Sequence, residues 1–304
     1  MGKSERTFYL LLKALKIKKP LASLSRIPGL KAISRQFLGP ENADITFIPV
    51  NERLEVPPGV TAPISIIERF IDAAGFHVIA HHCMCRKTLG CKDHNIDFGC
   101  IFMGDAARDI HPSVARPVSK KEALEHLHMA AEQGLVSSIG KFRLDAFALG
   151  LKDHDRLMSI CHCCPCCCLY GMVPYAAREF QNMVVPLDGI RIEVTDECRG
   201  CGTCAGVCIF KQATLVDGQC VIGADCKRCG RCAMSCPNNA IRVIVEDPGC
   251  IDRCVERLRS RVDLTLPYAP GGRLNAASME SVKGECSHEA TTGSRDVDRA
   301  REKG

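Results

Sequence analysis

The sequence predicts an α+β fold, with a cysteine-rich α/β N-terminal domain followed by a smaller domain built on two cysteine runs. Two observations carry this. Apolar residues recur at helical spacing in some stretches, while short β-prone segments bounded by turn residues fill others. Cysteines, 22 among 304 residues, are gathered into dense islands rather than spread along the chain. The remaining composition is ordinary for a globular protein, at 46% hydrophobic and 25% charged. The length leaves room for about two domains of roughly 150 residues each.

In chain order, residues 1–40 hold nine basic residues against one acidic, Glu5, and so account for more than the whole net charge of +5. Phe8, Leu11, Leu12 and Leu15 share one helical face. Such a basic amphipathic arm suits either an ordinary packed helix with a solvated side or contact with a membrane surface or an acidic partner. The rest of the chain is near neutral, so no uniform basic surface for nucleic acid is expected. Asp44–Val50 reads as a short strand and Pro57-Pro58-Gly59 as a turn. Ile64, Ile67, Ile71 and Ala74 mark a helix over Ile64–Ala74 with one face on a core.

Ser119-Lys-Lys-Glu122 has the form of a capping box, in which Ser119 accepts from a helix amide and Glu122 reaches back to the cap. The helix runs on through Ala123, Leu124, Leu127 and Ala131 to Gly134, a suitable stop. Leu135–Ile139 and Lys141–Phe147 are expected to form a hairpin about Gly140. Helix plus hairpin raises one rival function, a redox sensor with a winged-helix DNA contact, although this helix offers mainly Lys120 and Lys121 as basic side chains.

Two cysteine islands flank that helix. The first is His81-His82-Cys83-Met84-Cys85-Arg86, followed by Cys91 and Cys100; the second holds Cys161, Cys163, Cys164, Cys166, Cys167 and Cys168. Thiols crowded in this way are poor core filler, and adjacent cysteines do not meet the Cα separation a disulfide needs. Soft thiolates select iron–sulfur clusters, zinc or Cu(I). All ten are therefore candidate ligands of a further cluster or of zinc, with a redox-active dithiol as the remaining option. His81, His82 and His162 adjoin them, but such histidines more often donate a hydrogen bond than ligate.

The third island is a pair of runs, Cys198-Arg-Gly-Cys201-Gly-Thr-Cys204-Ala-Gly-Val-Cys208 and Cys226-Lys-Arg-Cys229-Gly-Arg-Cys232-Ala-Met-Ser-Cys236-Pro237. Both have the spacing C-x2-C-x2-C-x3-C. Gly200, Gly202 and Gly230 stand where backbone must approach sulfur or take a positive φ. Short β-prone segments surround the runs: Arg191–Thr195, Ala213–Val216, Gln219–Gly223 and Ile241–Val245. Zinc ribbons also use C-x2-C pairs, but here no histidine joins the eight cysteines.

Over about residues 190–246 the chain resembles the bacterial two-cluster ferredoxins. That resemblance implies two [4Fe–4S] clusters, one held by Cys198, Cys201, Cys204 and Cys236, the other by Cys226, Cys229, Cys232 and Cys208. It also implies paired hairpins around them. Ile209 stands where the second run has Pro237, a departure that bears on the local turn. More loosely, the whole chain resembles uncharacterised cysteine-rich iron–sulfur proteins of anaerobic prokaryotes, in which a Cys-x-Cys-Arg segment and a cysteine-dense run precede such a module. Lys227, Arg228 and Arg231 beside the second run are expected to steer an acidic redox partner.

Beyond the runs, Ile251, Val255, Leu258 and Val262 mark a helix over Ile251–Val262 that packs on the module. Cys220, Cys250, Cys254 and Cys286 read as bystanders. From about Pro267 the chain is rich in Gly, Ser and charge, as disordered tails are. The expected division is therefore an arm (1–40), a cysteine-rich domain (41–185), a two-cluster domain (186–247), a helix (248–266) and a tail (267–304).

No phosphate loop, dinucleotide turn, nucleophile elbow or H-E-x-x-H motif is present. The expectation is an electron carrier or oxidoreductase subunit working between a redox donor and an acceptor. A reductase with its chemistry at the N-terminal cysteines is the alternative. With no leader or spanning segment evident, the cytoplasm is expected, with peripheral contact at the inner membrane face through the arm as a further option.

Overall fold

The computed structural model describes residues 2–49, 54–58 and 61–264. The expected tail over 267–304, Cys286, and the end of the Pro57–Gly59 turn lie outside the described residues. Those described fall within one unit, Met1–Pro267. Helix and strand are mixed throughout, as an α+β fold requires.

The basic arm forms three helices. α1 (Glu5–Leu12) passes through a 3-10 turn (Lys13–Ile17) into α2 (Lys18–Leu24), and α3 (Pro28–Leu38) follows, with proline at its first position. Phe8, Ala22 and Leu38 are buried, whereas Leu10, Ile17, Leu21, Leu24, Ile27 and Ile33 are exposed. The arm thus packs on the body while keeping an apolar outer side.

β1 (Ala43–Ile48) and β2 (Leu54–Glu55) precede α4 (Ser65–Ala73), whose Ile66, Ile67, Phe70 and Ile71 are buried. Then come β3 (His77–Ala80), α5 (Met84–Leu89), β4 (Ile101–Met103), β5 (Ala115–Val118), α6 (Lys120–Glu132), β6 (Val136–Phe142), α7 (Arg143–Leu149), β7 (Met158–Cys163) and α8 (Arg178–Gln181). The first six-stranded sheet is antiparallel, in the order β1-β6-β7-β4-β3-β5. Its register pairs Ile79 with Ile101 and Ile101 with Ile160. The end of β3, the start of β4 and the end of β7 therefore meet at one edge of the sheet.

Two expectations fail here. Residues 136–142 form one buried strand and 143–149 a helix, so no hairpin turns at Gly140. Gly140 faces Ile45 across the β1–β6 ladder, and a Cβ there would overlap the Asp44 carbonyl. The glycine serves close strand approach, not a turn. The winged-helix reading loses its wing with it. In the capping box, Ser119 does accept from the Glu122 amide at 3.2 Å, but the Glu122 carboxylate pairs with Arg116 on β5 instead of returning to the cap.

The C-terminal part comprises β8 (Ile190–Val194), α9 (Thr203–Val207), β9 (Ala213–Val216), β10 (Gln219–Ile222), α10 (Arg231–Met234), β11 (Ile241–Val245) and α11 (Cys250–Arg259). β9 and β10 form a hairpin; β11 pairs antiparallel with β8 and parallel with β2. All four β-prone segments are strands. In α11, Ile251, Val255 and Leu258 are buried, and Arg69 of α4 meets Asp252 at 2.5 Å. Arg257 and Arg261, at and beyond the end of α11, converge on the buried Asp44 of β1.

Candidate metal centres

The two runs repeat each other at a spacing of 28 residues, and the backbone repeats with them. Gly202 (φ 79°) and Gly230 (φ 74°) are the N-caps of α9 and α10; Lys211 and Asn239 both have φ 55°. Gly200 (φ 62°) is matched by Arg228 (φ 54°), a left-handed arginine that costs about 1 kcal/mol or more. At Gly200 there is no choice, because a Cβ would overlap the Gly218 carbonyl. The expectation of special backbone at all three run glycines holds.

Each run places three cysteines around one hollow and sends its fourth to the other. Cys198, Cys201, Cys204 and Cys236 line one cavity; Cys208, Cys226, Cys229 and Cys232 line a second. Backbone amides point at the sulfurs: Cys220 N to Cys198 Sγ at 3.4 Å, Gln212 N to Cys208 Sγ at 3.3 Å and Arg228 N to Cys226 Sγ at 3.4 Å. The Thr203 hydroxyl, 3.4 Å from Cys201 Sγ, holds that thiol below its ordinary pKa. Cys220, expected to be a bystander, forms part of the first cavity's wall. Its signal was position alone, a lone buried cysteine on the hairpin between the runs.

The structure divides the ten N-terminal cysteines into two groups. Cys83 caps α5, Cys85 lies in its first turn, Cys100 precedes β4, and Cys161 and Cys163 lie in the last half of β7 with Cys168 just beyond; these six line one cavity at the shared sheet edge, and Cys164 of the other group also reaches its wall. Burial pushes the Cys85 and Cys168 thiols well above their ordinary pKa. Cys91, Cys164, Cys166 and Cys167 form a tighter group, their sulfurs all within 4.8 Å of one another. A single tetrahedral ion with bonds of about 2.3 Å holds its sulfurs roughly 3.8 Å apart, and here Cys166 lies 3.5 Å from both Cys91 and Cys164. This group can bind a metal ion. Every described cysteine is a free thiol.

Buried cations test whether these groups carry negative charge. Arg86 is fully buried, donates to the carbonyls of His162 (2.8 Å) and Phe98, and has an unpartnered Nε. Burial would lower its pKa; Cys83, Cys100 and Cys164 hold it above the ordinary value. Arg231 is also buried and donates to the Cys163 carbonyl at 2.9 Å. Among the described residues neither meets a carboxylate. A buried guanidinium without a counterion is costly, so anionic sulfur is the fitting neighbour. Lys18 of the arm adds a third buried cation, donating to the carbonyls of Cys167 and Cys168 at 2.9 and 2.6 Å.

These placements correct the steering role for Lys227 and Arg231. Arg231 and Lys227 are buried, and Arg228 donates to the Leu187 carbonyl and Asp188. Lys227 and Arg231 thus face inward, whereas Arg228 is partly exposed and paired with Asp188. Of the histidines beside the cysteines, His81 and His82 have other partners, while His162 lines the sheet-edge cavity with its Nε2 unpartnered among the described residues. His81 meets the Pro112 carbonyl and His82 the Asp97 carboxylate; buried His162 contacts Ser137, and desolvation drops its pKa well below 6.5. Cys250 and Cys254 are buried at α11, away from these cavities.

No described helix is long and apolar enough to cross a membrane. Comparisons with protein-family models, with curated proteins and with solved structures returned no match.

Proposed function

We propose that this chain is an iron–sulfur electron-transfer protein. The observation that carries the reading is the exchange of fourth cysteines, with Cys236 in the first run's cavity and Cys208 in the second's. That is the ligation of two-cluster ferredoxins. On this reading the module spans 186–247 and its eight cysteines hold two [4Fe–4S] clusters. Four of the six thiols at the sheet edge hold a third, and Cys91, Cys164, Cys166 and Cys167 hold a single thiolate-bound ion, zinc or iron. Bound there, the clusters carry single electrons.

The chain's own residues fit that work. Cys204, Cys232 and Cys236 share one apolar core, and Cys208 and Cys229 pack against the core that includes Cys163 and Cys168, so apolar packing connects the walls of the three hollows. Arg231 lines the second hollow and bonds the backbone beside the third. Cys201 is exposed, which gives a redox partner an approach at one end. The partners of this reading are a donor and an acceptor protein.

The test is iron, zinc and labile sulfide per chain in protein purified without oxygen. About twelve irons with matching sulfide, and about one further ion, are expected from three four-iron clusters and one tetrathiolate site. About eight irons would confine clusters to the two runs. Zinc without sulfide would overturn the reading.

A further inference from the structure

The arm roofs a second kind of cavity. It encloses about 550 Å³, within the roughly 300–1,000 Å³ range of small-molecule sites. Leu12, Leu15 and Leu38 of the arm face Leu144 and Ala148 of α7, with Met172 closing one side. Leu21, Leu24 and Ile33 line it too and remain exposed, so the approach from solvent is itself apolar.

Its polar atoms are nearly all committed. Lys18 Nζ is spent on the Cys167 and Cys168 carbonyls, Ser25 Oγ donates to the Ala22 carbonyl, and Ser34 Oγ to the Leu30 carbonyl. Asp145 is the exception. It is 6% exposed, and its Oδ2 has no hydrogen-bond partner among the described residues. An orphaned buried carboxyl oxygen is costly unless something meets it. Asp145 and Cys85 line both this cavity and the six-cysteine hollow. The one free polar atom therefore stands where the apolar space touches the thiol site.

We propose that this cavity binds a lipophilic small molecule with a single hydrogen-bonding head, a ring hydroxyl that donates to Asp145 Oδ2, seated at Asp145 and Cys85 with its apolar tail beneath the arm. The proposal rests on the shape and lining of the cavity, not on which metal the cysteines hold.

Decylubiquinol, kept reduced without oxygen, is a suitable probe, since its fully substituted ring does not add thiols and its ring hydroxyls can donate to a carboxylate; decylbenzene is its counterpart without the head group. Binding of each to the full, metal-loaded chain is followed by equilibrium dialysis, with metal content and circular dichroism recorded on the same samples. Saturable one-to-one binding of decylubiquinol is expected. Ala14→Trp, an exposed lining position, should fill the space and weaken both probes at least about tenfold, an affinity change worth about 1.4 kcal/mol. Asp145→Leu should weaken decylubiquinol by about tenfold, the loss of the hydrogen bond its ring hydroxyl donates to the carboxylate, and leave decylbenzene unchanged. Absence of saturable binding, binding indifferent to both substitutions, or uptake seen only with lipid vesicles or with chain self-association would overturn the proposal. Binding retained by a chain lacking iron would sink the metal reading alone.

Discussion

The fourth cysteine of each run is the residue on which the ligand assignment turns. Cys236→Ser should cost about four irons and perturb the centre held by Cys198, Cys201 and Cys204, leaving that of its own run spectroscopically intact. Electron paramagnetic resonance of the reduced variant reads this directly; loss of the signal belonging to Cys226, Cys229 and Cys232 instead would refute the crossing. The buried arginines make a second prediction. A positive charge beside thiolates favours the more negative, reduced state of whatever they hold. Arg86→Met should lower the midpoint potential of the sheet-edge centre by on the order of 100 mV, taking about 2 kcal/mol for a charged hydrogen-bonded contact and 59 mV per 1.4 kcal/mol. A potentiometric titration with an unmoved midpoint would refute it. Arg231→Glu, by contrast, should destabilise the fold and its second centre rather than slow a partner in a salt-dependent way, because its guanidinium is buried.

Among the elements, β6 carries the clearest structural prediction. Gly140→Ala forces a methyl group into the Asp44 carbonyl and should cost about 3 kcal/mol by prising β1 from β6, read as a drop in the urea midpoint. His77 on β3 supplies a pH dependence. Its Nε2 lies 2.7 Å from the Ile71 carbonyl, and burial lowers its pKa below 6.5. Below about pH 6.5 the unfolded chain therefore takes up a proton that the folded chain resists. Stability should fall as the pH drops through that range and recover above it. His77→Gln should flatten the slope in urea titrations followed by circular dichroism; an unchanged slope would assign the acid sensitivity elsewhere. The same elements show what the sequence makes legible. The segments around the runs and the amphipathic faces of α4 and α11 are local patterns, and they fold as read. Gly140 misled because a glycine within an apolar stretch signals either a turn or a close approach, and only the neighbouring strand decides. The partition of ten cysteines into six and four depends on β3, β4 and β7 lying side by side, a pairing between strands distant in sequence.

At the scale of the molecule, the basic arm illustrates the same limit. Its charge was evident from composition, yet Lys18 is buried against the cysteine backbone and the helices roof a cavity. Periodicity gives a face and not what the face covers. The interchange of cysteines between the two runs has a further consequence, mechanical rather than electronic. On the proposed ligation, one centre ties Cys198 to Cys236 and the other ties Cys208 to Cys226, the shorter loop nested within the longer. Each bridge shrinks the ensemble open to the unfolded chain, as a disulfide does, and closing a loop of about 40 residues is worth roughly 4 kcal/mol on the chain-entropy account. Around this small module such bridges act as topological clasps, so that removing the iron should undo the β8–β11 pairing that closes the module's ends.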